Sequence, residues 1–337
     1  MKKLLTMMVA AFFGCPLFAT TWYVNGTSGS DGYSGKSSDL AKKTIQAAID
    51  AASSGDTILV AAGTYDPINA VGKALTIRGV SGASKTIIDG KGTKRCARLS
   101  DEEGYFGPPA ESSGAFDTVL EGFTLVNGLA STTRYDDNGG GGVCGGCVIG
   151  CVIRQCFAYG GGGASNAKLH RCMVVENTSN DDAGGCHMCI VYDSLICRNK
   201  ALNEYGGGAG SAATASMLYN CTLTQNVAYE NDCDEVGAID YYMSAYNCIV
   251  WANVTDKGRT ANITSAWGEY YGDDVNNYTS DPHFVDAANG DYRLSADSPC
   301  VDAGDNSYVT SEVDLDGNAR IVNGKVDIGC YEYGTEI

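Results

Sequence analysis

The chain has 337 residues, a formal charge of −17, 44 glycines and only six prolines. That acidity argues against nucleic acid as a partner, because phosphate binding needs basic patches. So much glycine argues against a long helical bundle and favours short strands with many tight corners.

The first residues read as an export signal over 1–20: Lys2 and Lys3 are followed by an apolar run from Leu4 to Phe18, and cleavage is expected near Ala19 or Thr20. A lipoprotein signal ending at Cys15 is the rival, with Phe12, Phe13 and Pro16 as poor neighbours for it. Losing Lys2 and Lys3 takes the charge from −17 to −19. No later segment reads as a membrane span. Residues 21–56 read as an N-terminal cap. It contains a helix over 40–52, begun by Asp39, with Ile45, Ala48, Ile49 and Ala52 as one apolar stripe. Thr57 to Val60, Leu75 to Ile77, Thr86 to Ile88 and Val119 to Val126 read as strands.

A repeat then dominates the chain. The phrase small-or-Cys, apolar, apolar, two variable residues, Asn occurs as Cys172–Asn177, Ser194–Asn199, Cys221–Asn226 and Cys248–Asn253, with Cys151–Cys156 and Phe123–Asn127 as looser copies. A glycine phrase precedes each: Gly141-Gly142-Val143, Gly162-Gly163-Ala164, Gly184-Gly185-Cys186 and Gly207-Gly208-Ala209. Starts lie 21 to 28 residues apart with no helical period. Such a unit holds two or three short strands and buries a core only by stacking. The reading is all-β: a single-stranded right-handed parallel β-helix over 57–255, with Cys151, Cys172, Cys221 and Cys248 in a buried column and the asparagines in a ladder. Residues 256–337, rich in Asp, read as a C-terminal capping segment.

These phrases resemble known groups. Gly-Gly-small followed by apolar-x-x-Asn is similar to the repeat of polymorphic outer-membrane proteins. Trp22-Tyr-Val-Asn-Gly and Gly55–Tyr65 resemble the opening of pectate-lyase-like β-helix proteins. Asp281-Pro-His-Phe, Ser298–Gly304, Asp314–Asn318 and Asp327–Glu332 resemble the tails of choice-of-anchor surface proteins. The resemblance implies a secreted or bacterial surface β-helix protein, adhesin-like, binding a polysaccharide or cell-surface glycan. The alternative it implies is a polysaccharide lyase or glycoside hydrolase. No catalytic residue transfers, because no active-site motif matches.

Acidic and aromatic residues recur before the glycine phrases. Asp181, Asp182, Glu204, Tyr205, Asp234 and Glu235 are the candidate ligand-binding residues, with Tyr135, Tyr159 and Tyr229 near the same edge. Stacked carboxylates repel, and Ca²⁺ would relieve that. Asp314 and Asp316 resemble the opening of a Ca²⁺ loop that lacks its closing Glu, so calcium is the one cofactor expected. Cys144-x-x-Cys147 and Cys186-x-x-Cys189 look like zinc halves but fall two rungs apart, which favours core thiols or local disulfides. Cys300 and Cys330 are the expected tail disulfide. Arg198 lies one repeat from Glu176 at equal phase and reads as a cross-rung ion pair, not a catalytic base.

Overall fold

The computed structural model describes residues 19–101, 108–110, 114–130, 139–181, 183–202, 210–230, 237–239, 243–262 and 274–334. Among them the strands form a ten-stranded, an eight-stranded, a seven-stranded and a five-stranded sheet, with every pairing in these four parallel. One complete coil shows the plan. Lys168–His170 belongs to the ten-stranded sheet, Met173–Val175 to the eight-stranded, Thr178–Ser179 to the five-stranded and Cys186–His187 to the seven-stranded. Ile190–Tyr192 then pairs in register on Lys168–His170, one level on. The chain is a right-handed parallel β-helix.

Corners recur because a left-handed residue ends three of the four short strands of a coil. In this coil they are Arg171, Glu176 and Met188, with φ of 49°, 58° and 52°. The same column holds Asp193, Asn220, Asn247 and Asn276 in later coils. Non-glycine residues there cost about 1 kcal/mol or more each, least for Asn and Asp.

Ladders inside the coil offset that cost. After each corner a small polar residue points inward. The Cys172 N–H donates to Ser194 Oγ at 2.9 Å, and the Cys221 N–H to Cys248 Sγ at 3.4 Å. Cys172, Ser194, Cys221 and Cys248 are fully buried, so the expected column exists. At the next corner the Asn177 N–H and Nδ2 both donate to Asn199 Oδ1 at 3.0 Å. Asn199 repeats this on Asn226, and Asn226 on Asn253. Each buried amide satisfies a backbone donor that would otherwise be orphaned.

The space between these ladders is filled by the middle residues of the strands. Val148, Leu169, Val191, Leu218 and Ala245 stack from one sheet, and Ile153, Val174, Ile196, Leu223 and Val250 from another, all with no exposure. The interior is narrow enough to require glycine opposite them. A Cβ on Gly142 would lie 2.4 Å from Ile153 Cγ2, and one on Gly163 2.7 Å from Val174 Cγ1.

Two expectations are corrected. The N-terminal helix spans Ile45–Ala51, shorter than 40–52, because Thr44 caps it by accepting the Ala47 N–H, while Ser38–Leu40 forms a separate 3-10 turn. Val119 to Val126 is two strands, Val119–Glu121 and Thr124–Val126, divided by Gly122 at φ 74°. The start of the tail continues the inner ladder, with Asn262 Oδ1 accepting the Asn253 N–H at 3.1 Å. Asp274–Val275 adds one more strand to the ten-stranded sheet, and residues 284–334 then run along the flank. There Phe284, Tyr292 and Cys330 pack on Val175, Leu195 and Cys197, outside the coil.

Candidate functional site

On the ten-stranded sheet each three-residue strand turns its middle side chain inward and its first and third outward. The third positions align as Arg78, Glu121, Ile149, His170, Tyr192, Tyr219 and Tyr246. The early part of this column is charged, with Arg78 Nε 2.7 Å from Glu121. The later part is aromatic. Ring centroids are 4.7 Å apart between His170 and Tyr192, then 4.9 Å from Tyr192 to Tyr219 and again from Tyr219 to Tyr246. The rings are nearly parallel, within 9° to 15°. Tyr308 of the tail continues the stack at 4.5 Å from Tyr246. Outward side chains stand roughly perpendicular to a sheet, so stacked rings turn their edges and phenol oxygens away from it.

The left-handed corner beside this stack carries a second polar ladder. Asn247 Nδ2 donates to Asn220 Oδ1 at 3.0 Å, and Asn276 Nδ2 to Asn247 Oδ1 at 2.9 Å. The same amides bind the tail backbone. Asn276 reaches Ala303 O, Asn247 exchanges two bonds with Asp305, and Asn220 reaches Tyr308 O. One level earlier Asp193 accepts from Ser311 Oγ at 2.6 Å. Residues 303–311 thus run antiparallel to the order of the coils, and they place Tyr308 on the stack. A cleft of about 560 Å³ opens where they meet the last strand, lined by Asn276, Asp305, Asn306 and Lys325 among others.

A buried ion cluster holds the same tail. Arg320 is 1% exposed; its Nε lies 3.0 Å from Asp193 Oδ1 and its Nη1 2.8 Å from Glu332 Oε1. Asp314 and Asp327 are buried nearby. Burial pushes the Glu332 carboxyl up to about 8, against the pull of Arg320, and raises Asp193 and Asp327 in the same way.

The residues singled out in the sequence fare unevenly. Asp181 is buried, and its Oδ2 accepts the Tyr159 hydroxyl at 2.6 Å, which ties two coils together. Asp182, Glu204, Tyr205, Asp234, Glu235 and Tyr135 lie outside the described residues. At that edge the sequence reading missed Glu230, whose carboxylate lies 2.8 Å from Arg259 Nε and 3.3 Å from Lys257 Nζ. The Arg259 hydrogen bond holds it down to about 2. Asp314 accepts the Asn318 and Glu332 N–H groups, which closes this loop as a turn. Among the described residues no cluster of three His, Cys, Asp or Glu is placed to hold a metal. Cys300 and Cys330 are both buried, in two different apolar clusters. Arg198 and Glu176 do pair across coils, at 3.5 Å.

The aromatic stack was also missed, although its signal is present. His or Tyr stands two residues before each Cys or Ser that starts a phrase, at 170, 192, 219 and 246.

No protein-family model matches the chain, and no curated protein does. Among solved structures the chain is similar to a pectate lyase, Pel9A, at 14% identity and TM-score 0.47, covering 93% of this chain and 96% of that one. It is similar to XylC in complex with xylose at 10% identity and TM-score 0.43, covering 77% and 66%. It is also similar to the pectin methylesterase of Aspergillus niger at 14% identity and TM-score 0.38, covering 88% and 94%. The fold assignment rests on the strand register described above. The adhesin-like expectation gains no support from these likenesses.

Proposed function

We propose that this chain is an exported polysaccharide-binding β-helix, and that the outer face of its ten-stranded sheet takes an extended glycan along the solenoid axis. One observation carries the reading: His170, Tyr192, Tyr219, Tyr246 and Tyr308 repeat a like group at 4.5 to 4.9 Å. A regular row of ring edges and phenol oxygens suits a regular ligand, and a sugar residue in an extended glycan advances by a distance of the same order as a β-rung, about 4.8 Å. Because the ring faces are occupied by one another, recognition works through edges and hydroxyl hydrogen bonds. In an acidic chain, neutral glycans are the easier ligands, and anionic ones need a bridging cation such as Ca²⁺. No helix among the described residues is long and apolar enough to cross a membrane.

Affinity electrophoresis against neutral and uronic polysaccharides, with and without Ca²⁺, tests this. Retardation of the wild type is expected, about tenfold weaker in a Tyr192→Phe/Tyr219→Phe variant, which keeps the stack and loses two hydroxyls. A wild type that no polymer retards under either condition overturns the reading. The same incubations, assayed for new reducing ends and ultraviolet-absorbing unsaturated products, report cleavage. Its appearance establishes the lyase or hydrolase alternative.

A further inference from the structure

The interior holds more sulfur than packing requires, and its cysteines meet in two distinct ways. Some follow one another in register: Cys221 and Cys248 each precede the paired strands Thr222–Thr224 and Ile249–Trp251, so they stack one level apart. Others meet across a corner. Cys96 Sγ lies 3.2 Å from Val126 O, while Cys156 Sγ accepts the Gly128 N–H at 3.3 Å and lies 3.9 Å from Leu125 O. Both sulfurs therefore converge on the backbone of residues 125–128. Gly128 leaves them the room, since a Cβ there would sit 3.0 Å from Cys96 Sγ. Cys186 and Cys189 flank the left-handed corner at Met188, and both are fully buried in the core.

We propose that Cys96–Cys156 and Cys186–Cys189 are joined as two interior disulfides when the chain folds in an oxidising compartment. Register decides between the two kinds of pair. A disulfide wants Cβ atoms about 3.5–4.5 Å apart. In-register neighbours hold parallel Cα–Cβ bonds a full rung, about 4.8 Å, apart. Cys151, Cys172, Cys221 and Cys248 therefore stay thiols, each donating to the carbonyl two residues before it. The corner pairs approach from different sheets and are free of that constraint.

Formation is thiol–disulfide exchange with an oxidised disulfide carrier. One cysteine thiolate attacks a carrier sulfur, and the second displaces the carrier thiol. The two thiol protons end on the carrier, which leaves as a dithiol. All four cysteines are at most 2% exposed in the folded chain, so the exchange belongs to folding, before the coils close over them.

The full chain, directed to an oxidising periplasm, is denatured in an alkylating agent without reductant, digested and mapped by mass spectrometry. Peptides linking Cys96 to Cys156 and Cys186 to Cys189 are expected, with Cys151, Cys172, Cys221 and Cys248 alkylated. Alkylation of all four corner cysteines overturns the proposal, and a Cys221–Cys248 link overturns the register argument behind it. In a Cys96→Ser variant, where serine keeps the hydroxyl donor that Ser194 already uses in this core, Cys156 becomes fully alkylated and the Cys186–Cys189 link persists. A Cys156 that instead stays blocked, linked to another cysteine, counts against the assigned pairing.

Discussion

Two asparagine ladders run the length of the later coils, and they do opposite things. The inner one, Asn177, Asn199, Asn226 and Asn253, bonds only to the next asparagine and to coil backbone, and is wholly buried. The corner one, Asn220, Asn247 and Asn276 with Asp193 in line, spends part of its capacity on its own column and part on the tail. The residue type and the vertical spacing are shared. What differs is the phase within the coil: one step past the corner an amide stabilises the solenoid, and at the corner it grips another segment.

The largest expected separation between the two comes from Arg320→Met. Removing the cation strands Asp193 and Glu332 as buried acids, a loss of about 3–5 kcal/mol. Because Arg320 belongs to the tail, the loss should fall on tail docking. Limited proteolysis is expected to release residues 284–334 while the circular dichroism of the coils is kept; coils that melt with the tail would show that the two regions are one cooperative unit. Asn199→Ala comes next. It orphans the buried Asn177 N–H and the Val174 carbonyl, at about 2–3 kcal/mol. Urea unfolding of the coils should move to lower midpoint, whereas Asn247→Gly, which keeps the left-handed corner, should move it less and loosen the tail.

Acid should sharpen the same contrast. Glu332, held up at about 8, and Asp193 and Asp327, both raised, bind protons more readily when the tail is docked than when it is free. Their contribution is complete below the ordinary carboxylate range; that of Glu332 is lost as pH rises through about 8, and those of Asp193 and Asp327 as pH rises through their own raised values. Tail protection is therefore expected to be greater at pH 5 than at pH 9, and Glu332→Gln to flatten that dependence. The smallest effect is Arg198→Ala: its pair with Glu176 is more than two-fifths exposed on both sides, worth under about 0.5 kcal/mol, and the thermal midpoint should scarcely move.

Much of the inner region could be read directly from the chain. Cys172, Ser194 and Cys221 share a phase because a coil repeats its own chemistry, and a linear pattern is enough to find that. The stack at 170, 192, 219 and 246 obeys the same period and was overlooked only because His and Tyr differ in name. The grip on the tail left no such trace. Asp193 meets Ser311 and Arg320 more than a hundred residues away, through contacts that occur once each. At the acidic edge the described contacts are likewise ones no repeat announces: Asp181 accepts from Tyr159 in the neighbouring coil, and Glu230 pairs with cations that come later in the chain.

The strict register of the coils also bears on how such a chain can change in length. Cys151 to Arg171 is one whole turn, bounded by left-handed residues at Gly150 and Arg171. Joining Gly150 to Cys172 would return every later side chain to the phase it already has, whereas removing a single residue from a strand would turn the rest of that strand to the opposite face. Changes within the strands and corners are thereby quantised to whole turns, and natural variants of this chain should vary freely in length only between strands, as its own coils of 21, 22 and 27 residues do.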